Sequence, residues 1–355
     1  DYLKHLSRFE VIIRSPGVPL RTREISEAIS KGAQVTSATN LFFEHAPGKI
    51  VGVSGTKGKS TTASLLAAVL AIEQRDVRLV GNIGTPALSS LEDATSETVF
   101  VVELSSFQLE DLRLSPEAAA LLPIYPEHLD HHGSLAAYLE AKCRIYAAQQ
   151  PKDLLVCHER AAEVLFGRNA PVARTLIVSS KPTPKAAAFL KNSSLYLLGE
   201  TGHTELLLDM SSLPILGRKN AENALLAACL GRELGASLEA CKEALIGFRG
   251  LPHRLELLGC FKGIRFVNDS LSTIPQATEH ALQALGSSVQ TLILGGHNRG
   301  IDYSCLCPLL AESKVETLIL FPSTGEIIYE HLKEYYSPAT PPQRCFFVTA
   351  MEDAV

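Results

Sequence analysis

The sequence predicts an α/β protein built on mainly parallel sheets, and two observations carry that reading. Short apolar runs of strand length, at 49–53, 99–103, 119–124 and 153–157, alternate with longer helix-periodic stretches at 61–72, 134–149 and 219–234. Such alternation is what parallel strands joined by crossover helices produce. The second observation is Gly55-Thr56-Lys57-Gly58-Lys59-Ser60-Thr61, which lies between the first of those runs and an Ala/Leu-rich helical stretch. A strand, a glycine turn, a lysine with hydroxyls, then a helix: this order aims backbone N–H groups and the positive end of a helix dipole at one small volume. A polyphosphate suits that volume, with Lys59 reaching the outer phosphates and the Ser60 or Thr61 hydroxyl taking Mg²⁺. The segment therefore predicts ATP binding. It departs from the full G-x-x-x-x-G-K-[ST] pattern, because Val53 stands where the first glycine belongs; Gly52 and Gly55 supply the flexibility instead.

The elements follow in order. The chain opens with a strand at 11–14, a Ser15-Pro16-Gly17 turn and a helix near 23–31, too little for a complete domain. The strand–helix core comes next. Between about 175 and 215 the pattern shifts to short strands at 195–198 and 205–208 with Pro/Ser turns, which predicts an antiparallel annex. The Gly/Pro-rich stretch 247–252 reads as a domain boundary. Beyond it a further α/β unit is expected, with strands at 264–268, 289–294, 315–321 and 345–348 and helices at 275–285, 304–313 and 325–335.

Composition narrows the classes. A chain of 355 residues holds two or three domains, and 46% hydrophobic with 20% charged residues is ordinary for a water-soluble α/β protein. A net charge of −5 argues against a general nucleic-acid or membrane-surface binder. No apolar run approaches the roughly 18 residues that span a bilayer. The eight cysteines form no C-x-x-C pair, so they read as buried thiols of a cytosolic protein, not as a zinc or disulfide framework. The chain has no initiator Met and stops at Met351-Glu352-Asp353-Ala354-Val355, which reads as the start of a helix. A fragment with impaired or absent activity is the expectation.

Several further residues stand where ligands gather in doubly wound sheets. Glu103 ends an apolar strand, the position from which an acid holds Mg²⁺ beside a phosphate loop; a strand-end surface acid is the plainer reading. Tyr125-Pro126-Glu127-His128-Leu129-Asp130-His131-His132 follows another strand, with imidazoles and carboxylates fit for a divalent ion or for a solvated loop. Lys142 lies on the next helix, where an isolated lysine is usually a surface charge. Asn220 and Asn223 share one helix face and can cap it or read a base edge. Arg254 at the domain joint can reach a phosphate, and Asp269 ends a strand on the crevice side of the last unit.

Together these elements resemble the Mur ligases, ATP-dependent amide-forming enzymes of bacterial cell-wall synthesis, over nearly the whole chain. Glu103-Leu104-Ser105-Ser106-Phe107-Gln108-Leu109, Gly81-Asn82-Ile83-Gly84, Ser15-Pro16-Gly17-Val18-Pro19 and Gly250-Leu251-Pro252-His253-Arg254-Leu255-Glu256 look most like the D-glutamate-adding branch. The resemblance implies three domains. Residues 1–46 would be the remnant of an N-terminal Rossmann-like UDP-substrate domain. Residues 47–249 would form the central phosphate-loop ATP domain, and residues 250–355 an incomplete C-terminal Rossmann-like domain for the amino acid. It implies ATP contacts from Gly55 to Thr61 and from Asn220, Asn223, Arg254 and Asp269. Catalytic roles would fall to Lys59, Glu103, His128 and Lys142. Two Mg²⁺ sites would draw on Ser60, Glu103, His128 and a Lys142 carbamylated by CO₂. Ser15, Asn82, Thr273 and Arg299 would face the substrates, UDP-N-acetylmuramoyl-L-alanine and D-glutamate. A cytoplasmic monomer is implied.

The chain departs from the family pattern at several of these positions. Asn268-Asp269-Ser270 is followed by Leu271-Ser272-Thr273-Ile274 where the family has Lys-Ala-Thr-Asn. Arg299 stands for a lysine, Glu127 for an Asp and Pro123 for an Asn. The fragment also lacks the first glycine-rich turn of a UDP-binding domain and the last acceptor loop. Three rivals stay open: a sister ligase using another amino acid, including one of folate polyglutamation, a phosphate-loop ATPase that makes no bond, and a non-catalytic nucleotide-binding relative.

Overall fold

The computed structural model describes residues 3–73, 75–199, 202–215, 217–272, 274–298, 300–336 and 343–355, the side chain of Gln276 excepted. The chain forms two compact units, one ending at Arg249 and the other beginning at Gly250.

The first unit opens with β1 (Val11–Arg14), α1 (Arg23–Ser30), β2 (Gln34–Ser37) and α2 (Ala38–His45). β1 and β2 pair in parallel, Val11 opposite Gln34 through Arg14 opposite Ser37. Ser37 caps α2 by accepting the Asn40 N–H at 3.3 Å. The chain continues through β3 (Lys49–Ser54), α3 (Lys59–Ile72), β4 (Val77–Gly81), β5 (Val99–Glu103), α4 (Ser106–Leu109), β6 (Ala118–Leu121), α5 (Leu129–His132) and α6 (Leu135–Cys143). It closes with β7 (Leu154–His158), α7 (Glu159–Leu165), β8 (Arg174–Ser179), β9 (Ala186–Lys191), β10 (Ser194–Leu198), β11 (Thr204–Asp209), α8 (Arg218–Glu233) and α9 (Leu238–Gly247).

Among the described residues these strands form one nine-stranded sheet in the order β11-β10-β9-β8-β7-β6-β3-β5-β4. Every pairing from β4 to β9 is parallel, and the two pairings of β10 are antiparallel. The expected annex is thus the antiparallel edge of the main sheet, not a separate layer. β3 and β5 are buried on both faces, which is why their sequences are continuous apolar runs with no polar alternation. Val51, Val53 and Val101 face a core with Leu65, Leu66, Val69 and Leu70 of α3 and Leu225 and Leu226 of α8. Phe100, Val102 and Leu121 face the opposite core, with Phe42, Tyr138 and Leu155. Small residues let α3 and α8 pack closely: a Cβ on Gly231 would lie 2.7 Å from Val69 Cγ1.

Two expectations are corrected in this unit. The strand expected over 119–124 leaves the ladder after Leu121, because the next residues pair with the phosphate loop instead: Leu122 N–H donates to Ser54 O at 2.8 Å and Thr56 N–H to Pro123 O at 3.0 Å. The helix expected over 134–149 stops at Cys143. Residues beyond it are held by other acceptors, with Ala148 N–H donating to Ser115 Oγ at 3.0 Å.

The second unit contains β12 (Glu256–Phe261), β13 (Ile264–Asn268), α10 (Pro275–Leu285), β14 (Thr291–Gly295), α11 (Leu306–Glu312), β15 (Thr317–Phe321), α12 (Thr324–Leu332) and β16 (Arg344–Phe347). β14, β15 and β16 are parallel neighbours over a core with Leu282, Leu310, Leu318, Leu320 and Ile328. The strand at 264–268 pairs antiparallel with β12 instead, in a hairpin closed by Lys262 and Gly263. Both turn residues have positive φ, 51° and 82°, the requirement of a tight hairpin turn. No helix of the described residues is long and apolar enough to cross a membrane.

Candidate active site

β3 is the strand about which the sheet order reverses, and ligands of open parallel sheets collect at such points outside the C-terminal strand ends. Ser54 ends β3, and residues 55–58 turn into α3. Gly58 takes a φ of 92°, and a Cβ there would lie 2.7 Å from Leu122 Cδ2 and 3.0 Å from Asn223 Cγ. Only glycine fits this position. The loop is anchored through Thr56, whose Oγ1 meets the Tyr138 hydroxyl at 2.7 Å and accepts the Tyr125 N–H at 2.9 Å. Lys59 folds over the loop, its Nζ donating to Thr56 O at 2.8 Å and Gly55 O at 3.3 Å. The first amides of α3, at Lys59, Ser60 and Thr61, belong to a helix end that presents donors to an anion.

Lys142 lies directly behind this loop and is not the surface charge its helix context suggests. It is 2% exposed, and its Nζ donates to Gly55 O at 2.8 Å and Ser54 Oγ at 3.1 Å. The amine also sits 5.7 Å from the Tyr138 ring centroid. Burial holds the Lys142 amine well below the ordinary lysine range, and the charge of Lys59 pushes the same way against Glu127 and Glu103.

Glu103 ends β5 directly opposite Val53 and is 1% exposed, which removes the strand-end surface reading. Its Oε1 accepts from Asn82 Nδ2 at 3.1 Å, while its buried Oε2 has no hydrogen-bond partner within the protein. His128 occupies the left-handed region with φ 56°, a conformation that costs a non-glycine residue energy and gathers at functional sites. Its imidazole is held below the usual histidine value, first by burial and further by Lys59 and Lys142, against the pull of Glu127. Lys57 pairs with Glu127 across the mouth of the loop.

Asn223 is buried beside Gly58 and donates from Nδ2 to Asn220 Oδ1 at 3.2 Å, so the two amides do share a face at the start of α8. In the first unit, then, Gly55 to Thr61, Asn82, Glu103, His128, Lys142, Asn220 and Asn223 lie around the C-terminal ends of β3, β5 and β6. Ser15 is exposed beyond the end of β1, its carbonyl accepting the Val18 N–H at 3.0 Å. In the second unit, Arg254 is exposed, and both Asp269 oxygens bind locally: Oδ1 accepts the Leu255 N–H at 2.9 Å and Oδ2 accepts from Ser272. Thr273 and Arg299 lie outside the described residues.

Two residues that brace the site, and one buried arginine outside it, escaped the sequence reading. Tyr138 carried a signal, four residues before Lys142 and so on the same helix face. Ser54 carried a weaker one, as the polar last residue of an apolar strand. Arg14 carried none. It is 3% exposed and pairs with Glu110 and Asp111, each at 3.0 Å, while donating to Val18 O at 2.7 Å and Phe107 O at 3.0 Å.

A phosphate loop at the reversal point of a parallel sheet, backed by a buried lysine and a buried carboxylate, defines a phosphate-loop enzyme acting on a nucleoside polyphosphate. The family model described as Mur ligase middle domain matches residues 53–231. UDP-N-acetylmuramoylalanine--D-glutamate ligase of Acidobacterium capsulatum is 36% identical over 329 residues, covering 92% of this chain and 70% of that protein. The enzyme of the same name from Symbiobacterium thermophilum is 34% identical over 335 residues, covering 94% and 73%. The chain belongs to the Mur ligase family, enzymes that form amide bonds at the expense of ATP. UDP-N-acetylmuramate-alanine ligase from Thermotoga maritima shares the fold, with a TM-score of 0.65 at 20% identity over 97% of this chain and 78% of that one.

Proposed function

We propose that this protein joins the amine of D-glutamate to the free carboxylate of UDP-N-acetylmuramoyl-L-alanine, converting ATP to ADP and phosphate. The observation that carries the amino-acid assignment is the kinship over more than nine-tenths of the chain to proteins of that name. A carboxylate resists attack by an amine at neutral pH, so the chemistry needs activation. The γ-phosphoryl group moves to a carboxylate oxygen as its bond to ADP breaks, giving an acyl phosphate. The free amine then adds to the carbonyl carbon, loses a proton to solvent, and the C–O bond to phosphate breaks as the amide forms. Positioning and charge stabilisation do this work without a protein nucleophile.

The site supports the following roles. The loop amides and Lys59 hold phosphoryl oxygens, and Asn220 and Asn223 face the nucleoside. The buried, unpartnered Oε2 of Glu103 is a fit for Mg²⁺, with Ser60, His128 and a carbamylated Lys142 completing the ligands. When bound, the ions supply neutralisation of the phosphoryl charge. Carbamylation suits Lys142 because burial favours its neutral amine, the form that adds to CO₂. In this reading residues 1–46 belong to the UDP-substrate domain, with Ser15 and Asn82 toward that substrate. Residues 47–249 serve ATP. Residues 250–355 serve the amino acid, with Thr273 and Arg299 toward the substrates and Arg254 and Asp269 toward the nucleotide. The protein acts as a cytoplasmic monomer. The test is ATP-dependent phosphate release from the purified full-length protein with UDP-N-acetylmuramoyl-L-alanine and single amino acids. Release specific to D-glutamate is expected. Release with a different amino acid, or with none, overturns the assignment.

A further inference from the structure

Glu110, His131 and His132, which the ligase chemistry leaves unused, converge beneath the Phe107 ring. His131 Nε2 lies 3.3 Å from Glu110 Oε2, and one ring nitrogen of each histidine with one carboxylate oxygen all fall within 4.8 Å of one another. Both imidazoles are buried, at 8% and 5% exposure, and His132 Nε2 has no hydrogen-bond partner within the protein. The Phe107 ring centroid stands 4.0 Å from that of His131, and the Tyr138 ring 5.5 Å from that of His132, so the walls are aromatic.

We propose that Glu110, His131 and His132 form a binding site for a borderline divalent d-block cation, Zn²⁺ foremost, with water as the fourth ligand. Zn–N and Zn–O bonds of about 2.0–2.2 Å at tetrahedral angles put neighbouring ligand atoms about 3.3–3.5 Å apart. The Glu110–His131 pair already has that spacing. The His132 nitrogen must close by at most about 1.5 Å, which a side-chain rotation supplies. Two imidazoles select against Mg²⁺, which demands six hard oxygen ligands, so the site is distinct in kind from one that serves ATP. The charge balance permits a cation: Arg14 pairs with both Glu110 and Asp111, each at 3.0 Å, so one positive charge faces two carboxylates and one negative charge is left over. The turn is braced from outside, Arg21 donating to Asp130 O at 2.7 Å and to His131 O at 3.1 Å. Glu110 Oε2 also accepts the Leu20 N–H at 3.3 Å, so a bound ion would tie residues 14–20 to the turn that carries His128.

The test is a Co²⁺ titration of the whole protein in buffer saturated with Mg²⁺, followed by visible absorption, with Zn²⁺ displacement and thermal melting alongside. One equivalent with the intense bands of a tetrahedral nitrogen and oxygen site is expected, displaced by Zn²⁺, with a melting temperature that rises on loading. His131→Gln and, separately, Glu110→Gln should each weaken binding at least tenfold, while His128→Gln leaves it intact. Should Glu110→Gln fail to fold, the His131→Gln titration decides alone. Thiolate charge-transfer bands would assign the ion to the exposed Cys260 or Cys305 and overturn the proposal. So would faint six-coordinate bands, loss of binding in His128→Gln only, or no saturable binding.

Discussion

Replacing Lys142 with methionine separates what the buried amine does for the fold from what it does for the chemistry. The variant loses hydrogen bonds to Gly55 O and Ser54 Oγ, each contributing about 0.5–1.5 kcal/mol. Neither acceptor is stranded: Gly55 O keeps Lys59 Nζ at 3.3 Å, and Ser54 Oγ still donates to Leu104 O at 2.7 Å. Against that loss, methionine removes a group whose charged form is disfavoured by burial. The net change at pH 8 should therefore stay within about 2 kcal/mol. The sign of the pH dependence follows from linkage. The folded-state pKa is lowered, so between that value and the unfolded value of about 10.4 the unfolded chain binds the extra proton. Wild-type stability thus rises with pH through this window, by up to about 1.4 kcal/mol per pH unit, and the methionine variant lacks that slope. The assay is urea denaturation of both proteins from about pH 6.5 to about pH 9.5 in CO₂-free buffer. The advantage of the variant should be largest at the acid end and shrink steadily as pH rises. Phosphate release should fall about 100-fold or more at every pH. Parallel stability curves would refute the depressed amine, and undiminished turnover would remove Lys142 from the chemistry.

Glu103→Gln should leave thermal stability unchanged or raise it by about 1 kcal/mol, because a neutral amide replaces a buried carboxyl group with an unpartnered oxygen, while Mg²⁺-dependent turnover drops about 100-fold; melting curves and a Mg²⁺ titration check both halves. Gly58→Ala must hold φ at 92° and fit a Cβ 2.7 Å from Leu122 Cδ2, so about 2–4 kcal/mol of stability should go in urea denaturation, with nucleotide binding weakened in titration calorimetry. Arg14→Met strands Glu110 and Asp111 beside each other in a largely buried setting, and chemical denaturation should register a loss of about 3–5 kcal/mol.

Local signals were legible and distant ones were not. The phosphate loop, the strands at 49–53 and 99–103 and the Asn220/Asn223 face all follow from spacing within a dozen residues, and the structure places them as the spacing implies. Lys142 shows the limit. On α6, Tyr138, Leu139, Ala141, Lys142 and Cys143 are all buried, so the helix has no polar stripe to betray which lysine is inside. The hairpin at β12–β13 was missed because Lys262-Gly263 is a weaker turn signal than Asn-Gly, although it adopts the same positive φ values. Arg14 bonds groups 96 and 97 positions away, a pairing that no local periodicity encodes.

The two buried ionisable groups also constrain each other. Glu103 is bonded to a neutral amide of Asn82, and Lys142 to the neutral oxygens of Ser54 and Gly55. Each is an ionisable group held inside the protein by partners that carry no charge, and a charge in such a setting costs stability compared with an apolar side chain of similar size. A divalent cation at Glu103 Oε2 compensates the carboxylate but repels an ammonium in the same pocket. The conflict vanishes if the amine is neutral, and it reverses if the nitrogen carries a carbamate, since the lysine then becomes an anion that attracts the same ion. The depressed amine is thus the condition under which one pocket can hold a carboxylate, a lysine and Mg²⁺ together. Burial of α6 against the loop, which hides Lys142 in the sequence, is the physical cause of that condition.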